Sequence, residues 1–384
     1  MSDHNFFIKY DEILEKINQI NPIQYAKTRN FLDGNVSRLS PYFTHGVISL
    51  RQVADVVLGK YGFLKSEKFL MELAWREYYL RVWENKGDAI FENLLVDSAQ
   101  NYWDKIQFKT GIPEVLETAQ TGIVALDQEI NNLKNIGYMH NHARMWLAGT
   151  VTNIAHYNWV DSAKWLYYYL LDGDLASNTL SWQWVAGTCR NRVYFANQEN
   201  VNKYSGTTQL NTFLDKTYEE LEKSETPENF LKLEEFDLKT NLNLFAGIKV
   251  SELNLTTKEV LLFHPWMLNN KWKEGSEMSK ILLVEPSVFQ KNPVSDLRIK
   301  FILEMAKQIQ NLQIVVGEVA ELPKDKKYFS ITNPIISQWK SLESDIVLEE
   351  PEYLFPEVSG YFANFFGYYK SCLKKSTWLG ETGG

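Results

Sequence analysis

The chain has 384 residues, which fits about two domains on the usual range of ~100–200 residues each. Its net charge of −8, from 40 basic and 48 acidic side chains, excludes a globally basic nucleic-acid binder and leaves room for a local basic patch. The 2 cysteines form neither a disulfide framework nor a zinc-binding pattern, and the chain lacks a signal-peptide pattern and any apolar stretch of ~20 residues, so we expect a cytoplasmic protein.

The first half of the chain carries a helical pattern. From Asp11 to about Tyr204 the apolar residues recur mostly at helical spacing. The segment 215–239 that follows holds nine acidic and four basic residues with one proline, which predicts a surface helix and a connector. We therefore predict a mainly α-helical domain over residues 1–214 and an acidic connector over 215–248.

After about Lys249 the pattern changes to short apolar runs. These runs are 260–263, 281–284 and 314–316, and a helical period lies between 296 and 309. The order strand, strand, helix, strand predicts a smaller α/β, Rossmann-like domain over residues 249–384. Neither GxGxxG nor GxxxxGK[ST] occurs, so no motif supports nucleotide binding in this half.

Hydroxyl groups cluster in the run SRLSPY, residues 37–42, just before a predicted helix start. Hydroxyls, an arginine and unpaired backbone N–H groups at such a start bind phosphate without a P-loop. An ordinary helix N-cap is the alternative interpretation.

Two predicted helices each gather polar and apolar groups on one face. The first, ELAWREYY, places Glu72, Trp75 and Arg76 at i, i+3 and i+4, and the second, GYMHNHARM, does the same with Asn141, Arg144 and Met145. For each helix alone, an amphipathic surface with a buried ion pair is the alternative.

A third segment, DGDLASN followed by SWQW, places Asp172, Asp174 and Asn178 within seven residues. These ligands are too few for a persuasive metal site. The carboxylates could instead hold a ribose hydroxyl, a flavin ring nitrogen or the Arg144 guanidinium through charge-assisted hydrogen bonds.

In order and rough spacing these motifs resemble the flavin domain of the photolyase and cryptochrome family. The resemblance covers roughly residues 25–200 and implies a helical domain that holds one non-covalent FAD in a U-shaped form. We expect the chain to lack the family's usual N-terminal antenna domain, and its C-terminal α/β segment resembles a relocated, truncated version of that domain. The second chromophore is unknown, and a purely structural domain is the alternative.

The resemblance implies a set of FAD contacts. Ser37, Leu39 and Ser40 match phosphate contacts, Arg144 and Asp172 match the pair that flanks the isoalloxazine ring, and Asn178 would face the reactive flavin nitrogen. Photolyases usually carry Asn at that last position, and plant cryptochromes carry Asp. The other expected FAD contacts are Tyr25, Arg38, Arg76 and Asp174.

The resemblance also implies a lesion pocket. The matching residues are Glu72, Trp75, Asn141, Met145 and Trp184. The (6-4) photolyases carry histidines where this chain has Asn141 and Met145, so the pattern favours cyclobutane pyrimidine dimers. Two indoles provide flat apolar walls for a flipped dimer, and Glu72 and Asn141 provide hydrogen bonds to the base edges.

Two further sets of residues are expected to serve electron transfer and DNA binding. Trp182 and Trp159 match two members of the tryptophan chain that photoreduces FAD, and the third position is Lys105, with Tyr102 and Trp103 nearby. We expect Trp103 to be the outer donor. Where the family has a PYFRIFNP-like run, Arg190 and Arg192 either contact DNA phosphate or are solvated surface charges.

The resemblance implies a deoxyribodipyrimidine photo-lyase, a carbon–carbon lyase acting on dimer-containing DNA, with exposed or single-stranded DNA as one form of substrate. Light-excited reduced FAD would give one electron to the dimer, the ring would split, and the electron would return. A cryptochrome-type blue-light photoreceptor without repair is the alternative. A scaffold without flavin is disfavoured, because burial of Arg144 with Asp172 and Asp174 would then carry a desolvation cost without a ligand.

Overall fold

The computed structural model describes residues 6, 9–94, 106–190, 192–342 and 345–378. Contacts divide the chain into two compact units. The sheet unit comprises Met1–Pro22, Ser37–Glu77 and Lys239–Gly384, and the helical unit comprises Ile23–Val36 and Tyr78–Leu238. The predicted domains 1–214, 215–248 and 249–384 follow the chain, whereas these units interleave along it, because two N-terminal segments cluster with the C-terminal sheet.

Helices dominate the first part of the chain and strands appear mainly in the last third. The helices are α1 (Tyr10–Asn18), α2 (Pro22–Thr28), α3 (Ser40–Thr44), α4 (Leu50–Lys86), α5 (Val115–Thr118), α6 (Val124–Ile136), α7 (Asn141–Gly149), α8 (Trp159–Tyr169), α9 (Leu175–Ala186), α10 (Gln198–Ser205), α11 (Tyr218–Glu222), α12 (Pro286–Lys291), α13 (Asp296–Ala306) and α14 (Phe365–Lys375). The strands are β1 (Ile112–Pro113), β2 (Leu233–Glu234), β3 (Ile248–Lys249), β4 (Glu259–Phe263), β5 (Ser279–Val284), β6 (Leu312–Val316), β7 (Lys327–Ile331) and β8 (Ile346–Glu349). None of the helices in the described ranges is both long and apolar enough to cross a membrane.

The core of the helical unit is built around α7, α8 and α9. Each of α8 and α9 begins at a side-chain cap: Asn158 accepts a hydrogen bond from the N–H of Val160, and Asp174 accepts one from Ser177. A single-turn π-helix, Thr150–Ile154, continues α7. The helical pattern predicted for the first half of the chain is confirmed for these elements, and tryptophans fill much of their shared core.

The acidic segment after α10 contains the predicted surface helix, α11, but it also packs against the core of the helical unit. Its α11 starts with a capping box, but Leu221 in that helix and Phe230 beyond it are fully buried. The hydroxyl of Tyr157 donates to the carbonyl of Phe230 at 2.6 Å, and β2 pairs with β1 in antiparallel register. The apolar residues scattered among the charges therefore dock this segment onto the helical unit.

The C-terminal part contains a parallel six-stranded sheet of order β3-β6-β5-β4-β7-β8. The predicted sequence of strand, strand, helix, strand is confirmed as β4, β5, α13 and β6. The last four residues of both β4 and β5 are buried, as expected for strands covered on both faces. The order of β4 to β8 is that of a doubly wound fold, with its switch point between β4 and β7.

Residues around α3 join this sheet unit through the loop after β4. The ring Nδ1 of His45 lies 2.6 Å from the carbonyl oxygen of Pro265, and the N–H of Leu268 donates to the His45 carbonyl at 2.8 Å. Gly46 has φ +60°, and a Cβ there would stand 2.7 Å from the carbonyl oxygen of Trp266. Only glycine fits this close approach.

Candidate functional site

Arg144 and Asp172 form an ion pair inside the helical unit. Nη2 of Arg144 donates to both carboxylate oxygens of Asp172 at 2.9 Å, and its Nε donates to the carbonyl of Met139 at 2.9 Å. The Asp172 side chain is 5% exposed and that of Arg144 is 21% exposed. Of the three predicted uses of the acidic pair, the hydrogen bonds to the Arg144 guanidinium are thus confirmed for Asp172.

The backbone of Gly137 positions the turn that carries Asp172. Gly137 ends α6 with φ 68°, and its carbonyl accepts a hydrogen bond from the N–H of Leu171 at 2.8 Å. A Cβ at position 137 would stand 2.4 Å from Cγ of Leu171. Sequence reasoning missed this role, although a glycine just after a helical period is a signal for a left-handed helix end.

Asp174 and Asn178 have defined roles at the start of α9. The Asp174 carboxylate accepts the N–H of Ser177 at 2.7 Å and so caps the helix. One turn later, Nδ2 of Asn178 donates to the carbonyl of Ala163 at 2.9 Å. Because a carbonyl can only accept, this bond fixes the amide with its nitrogen towards Ala163 and leaves Oδ1 as an acceptor.

The run Ser37–Ser40 lies in the sheet unit and leads into α3. Arg38 adopts the left-handed conformation with φ 52°, and the N–H of Leu39 lies 3.5 Å from the Ser37 hydroxyl. Neither the backbone N–H nor the hydroxyl of Ser40 makes a hydrogen bond to another residue in the described part of the chain. Ser40 therefore has hydrogen-bond donors available for phosphate oxygens.

A further cation lies near this run. Burial lowers the pKa of Lys16 on α1, and the positive charge of Arg38 lowers it further. The like charges of Lys16 and Arg38 thus repel each other next to the residues predicted to contact phosphate. Sequence reasoning missed Lys16, because α1 carries no motif and the proximity arises only in the fold.

The residues Glu72, Trp75 and Arg76 share α4, as their spacing predicted. Glu72 forms a surface ion pair with Lys68 at 2.9 Å. Nη2 of Arg76 donates to the hydroxyl of Thr44 at 2.8 Å, which links α4 to α3.

The indole of Trp75 stacks on a ring from the C-terminal helix. The centroids of Trp75 and Phe365 lie 3.7 Å apart, and the ring planes differ by 10°. This ring of α14 was not expected next to Trp75, because the sequence carries no signal that pairs the two segments.

The remaining predicted lesion residues lie in the helical unit. Asn141 is the first residue of α7 and is exposed, and Met145 packs against the hydrophobic core. Trp184, on α9, is partly buried, and the guanidinium carbon of Arg190 lies 3.3 Å from its ring centroid.

Arg190 and Arg192 differ in their surroundings. Nε of Arg190 donates to the carbonyl of Trp184 at 3.0 Å, so Arg190 is not the solvated charge that was one of its two predicted roles. Burial lowers the pKa of its guanidinium. Arg192 is exposed, as a solvated charge would be.

Trp182 and Trp159 are both buried in the helical unit. The indole N–H of Trp159 donates to the side-chain oxygen of Asn93 at 2.8 Å. The outer positions considered from the sequence, Tyr102, Trp103 and Lys105, lie outside the described residues.

The predicted site residues fall into two sets. The helical unit carries Tyr25, Asn141, Arg144, Met145, Trp159, Asp172, Asp174, Asn178, Trp182, Trp184, Arg190 and Arg192, and the sheet unit carries Ser37, Arg38, Leu39, Ser40, Glu72, Trp75 and Arg76. Within the ranges that the structure describes, no group of three or more His, Cys, Asp and Glu side chains is placed to hold a metal ion.

Comparison with known proteins identifies the segment that contains most of these residues. The family model for the FAD binding domain of DNA photolyase matches residues 69–229. The chain is 32% identical over 152 residues to the deoxyribodipyrimidine photo-lyase of Streptomyces griseus. This aligned region covers 40% of this chain and 32% of that protein. It is 30% identical over 176 residues to that of Synechococcus sp., which covers 43% and 35%.

Among solved structures, the cryptochrome of Synechocystis sp. PCC6803 aligns with a TM-score of 0.42 and 21% identity, over 51% of this chain and 43% of that one. The matched region thus spans about a third of the length of the two curated relatives. Residues 69–229 of this chain are therefore similar to the FAD binding domain of DNA photolyase.

Proposed function

We propose that this chain is a deoxyribodipyrimidine photo-lyase that repairs cyclobutane pyrimidine dimers in DNA in the light. The observation that carries the proposal is that the Arg144–Asp172 pair and the oriented amide of Asn178 both lie within the segment that matches the FAD-binding domain. The two curated relatives described above are named for this activity, and the matched region spans about a third of their length.

The donors and acceptors of the helical unit fit the ring end of FAD. Arg144 offers a cation whose charge is balanced by Asp172, so a neutral ring system can be held without an uncompensated charge. The acceptor oxygen of Asn178 suits a ring N–H, the donor present in reduced flavin. The light-driven electron that splits the dimer and then returns is the chemistry that bound FAD supplies.

The sheet unit offers groups that fit phosphate. Ser40 retains hydrogen-bond donors, and Arg38 and Lys16 supply positive charge next to the same run. Tyr25 is proposed as a further phosphate contact, and Arg76, bonded to Thr44, as a residue that steadies the helix after this run.

The lesion contacts are proposed residue by residue. Trp75 and Trp184 provide flat aromatic surfaces, and Glu72 and Asn141 provide polar atoms for the base edges. Met145 provides apolar volume on α7. These residue types suit a dimer, whose impaired pairing and stacking lower the cost of extruding it from DNA.

For DNA binding we propose Arg190 and Arg192 as phosphate contacts. The overall charge of −8 gives little general attraction to a duplex. We propose exposed or single-stranded dimers in the cytoplasm as the substrate. Trp182, Trp159 and Trp103 are proposed to return oxidised FAD to the reduced state.

We propose that the C-terminal sheet is a relocated antenna-type domain that serves as a structural module. Its strand order, β6-β5-β4-β7-β8, supports the relationship. At its switch point, Nε2 of His264 lies 3.1 Å from the carbonyl oxygen of Ile331. The fully buried indole of Trp339 meets the His264 ring edge to face at 5.7 Å. The side chains of His264 and Trp339 thus lie at the point where such folds bind ligands, which supports a structural role for this domain.

The test is a spectrum of the purified protein followed by blue illumination with reductant and a dimer-containing oligothymidine. We expect a yellow protein that restores thymine absorbance only in the light. Glu72→Ala is expected to slow repair while FAD stays bound, because the lost surface ion pair contributes only about 0.5 kcal/mol. Asp55→Ala, which removes the exposed ion pair with Arg51 at the same i, i+4 spacing on α4, is the matched control and should repair like the parent.

One observation favours the alternative of a cryptochrome-type photoreceptor. One face of the Trp75 indole is covered by Phe365 and is closed to a base. A yellow protein that is photoreduced and leaves dimers intact would establish the photoreceptor in place of the repair enzyme. A protein with no visible band after addition of FAD would contradict both.

A further inference from the structure

Phe365 lies against Trp75 in the geometry of stacked bases. The ring centroids are 3.7 Å apart with the planes inclined by only 10°, whereas the parallel rings of Phe365 and Tyr369 have their centroids 5.5 Å apart and Phe366 meets Phe365 edge to face. Phe365 is the first residue of α14 and is 2% exposed. Both residues belong to the sheet unit.

A buried carboxylate holds the C-terminal segment against α4 at this point. Glu77, two residues after Trp75, accepts hydrogen bonds from the backbone N–H groups of Leu354 and Phe355, the latter at 2.9 Å. It also accepts one from the hydroxyl of Tyr368 at 2.8 Å. Burial and the charge of Glu77 raise the pKa of Tyr368, so this hydroxyl stays protonated and remains a donor.

The neighbouring ring shows that α14 does not bury every aromatic residue. Phe366 is 70% exposed and meets Phe365 only edge to face. Asn364 caps α14 by accepting the N–H of Gly367 at 2.9 Å, which fixes the start of the helix and hence the position of Phe365. The capped start of α14 therefore fixes the position in which Phe365 stacks on Trp75.

We infer that Phe365 determines substrate affinity by occupying the face of Trp75 on which a flipped pyrimidine dimer would stack. The inference rests on the proposed function. A base or dimer can reach that face only by displacing the phenyl ring, so the stack of Phe365 on Trp75 competes directly with the stack of the lesion. A dimer that has already lost much of its stacking in DNA competes better than an intact base.

Replacement of Phe365 by leucine tests the competition. Leucine keeps an apolar side chain in the same place and removes the flat ring, so the dimer should bind more tightly. We expect the dissociation constant of an oligothymidine with a single dimer, measured in the dark by fluorescence anisotropy, to fall by about tenfold. Phe366→Leu changes the exposed neighbour and is the matched control, for which we expect the parent's value.

The outcomes separate the inference from the proposed function. If the parent binds dimer-containing and undamaged oligothymidine equally, the proposed function fails and the inference falls with it. If the parent prefers the dimer and Phe365→Leu binds no more tightly than Phe366→Leu, only the inference is overturned.

A second measurement needs no variant. Lys370, Lys374 and Lys375 lie on α14 and are exposed, so trypsin can report when this helix leaves α4. We expect the dimer-containing oligothymidine to speed cleavage at these lysines and the undamaged oligothymidine to leave it unchanged. Unchanged or slower cleavage with the dimer-containing strand would show that Phe365 stays in place, which would overturn the inference.

Discussion

Gly137 and Leu171 lie so close that a Cβ on the glycine would stand 2.4 Å from the leucine Cγ. The contact brings the end of α6 against the residue that precedes Asp172. The glycine thereby fixes the turn from which Asp172 reaches Arg144.

Gly137→Ala should therefore damage both stability and flavin binding. The positive φ of 68° costs about 1 kcal/mol for alanine, and the collision with Leu171 adds about 2 kcal/mol of overpacking. We expect urea denaturation to show a loss of about 3 kcal/mol and the purified variant to retain less FAD.

Gly206→Ala is the matched control for this substitution. Gly206 has a similar φ of 74°, but a Cβ at this position would meet nothing within 4 Å. We expect a loss of about 1 kcal/mol and normal FAD content. Equal losses in the two variants would mean that the contact with Leu171 has no role.

Asp172→Asn should leave the Arg144 guanidinium largely buried without its counter-charge. Removal of one partner of a buried ion pair costs about 3 kcal/mol, and we expect that loss by urea denaturation together with release of FAD. Glu304→Gln, which breaks the exposed pair with Lys307, should cost less than about 0.5 kcal/mol. A loss for Asp172→Asn as small as that of the control would contradict the importance of the pair.

Local patterns predicted the elements that carry the site. The spacing i, i+3, i+4 depends only on helix geometry, so Glu72, Trp75 and Arg76 were correctly expected to share one helix. The apolar runs after Lys249 likewise predicted the parallel strands, because a buried strand requires apolar side chains on both faces.

Contacts between distant segments could not be predicted in this way. Most of the chain separates Phe365 from Trp75 in sequence. Lys16 lies close to Arg38 only because α1 packs near the run before α3. The stack of Arg190 on Trp184 spans few residues, but it depends on the turn at Gly187, which ends α9 with φ 79°. Periodicity carries no information on such pairings.

His264 should make the protein sensitive to mild acid. Its burial lowers the pKa from the ordinary value of 6.5 to about 4. Nδ1 accepts a hydrogen bond from the backbone N–H of Trp266 at 3.3 Å. The neutral ring therefore carries its proton on Nε2, which faces the carbonyl of Ile331. A second proton on Nδ1 would disrupt the contact with Trp266.

The direction of the pH effect follows from linkage. The unfolded chain binds a proton near pH 6.5 and the folded chain only near pH 4, so the stabilisation is present above pH 6.5 and is lost as the pH falls towards 4. We expect the contribution of His264 to the free energy of unfolding to drop by about 2 kcal/mol between pH 7 and pH 5. His264→Gln should lack this drop in urea denaturation at the two pH values. An identical pH dependence in variant and parent would assign the acid sensitivity to other groups.

Trp182→Phe should slow the photoreduction of oxidised FAD. Trp182 is 2% exposed on α9, the helix that also carries Asn178, so it is the predicted inner donor closest in sequence to the flavin contacts. Phenylalanine keeps most of the volume and is much harder to oxidise than an indole. We expect bleaching of the flavin band under blue light with reductant to slow several-fold.

Trp165→Phe, which removes a fully buried indole of α8 in the same unit, is the control and should bleach like the parent. Bleaching of Trp182→Phe at the parent's rate would show that electrons reach the flavin by another route.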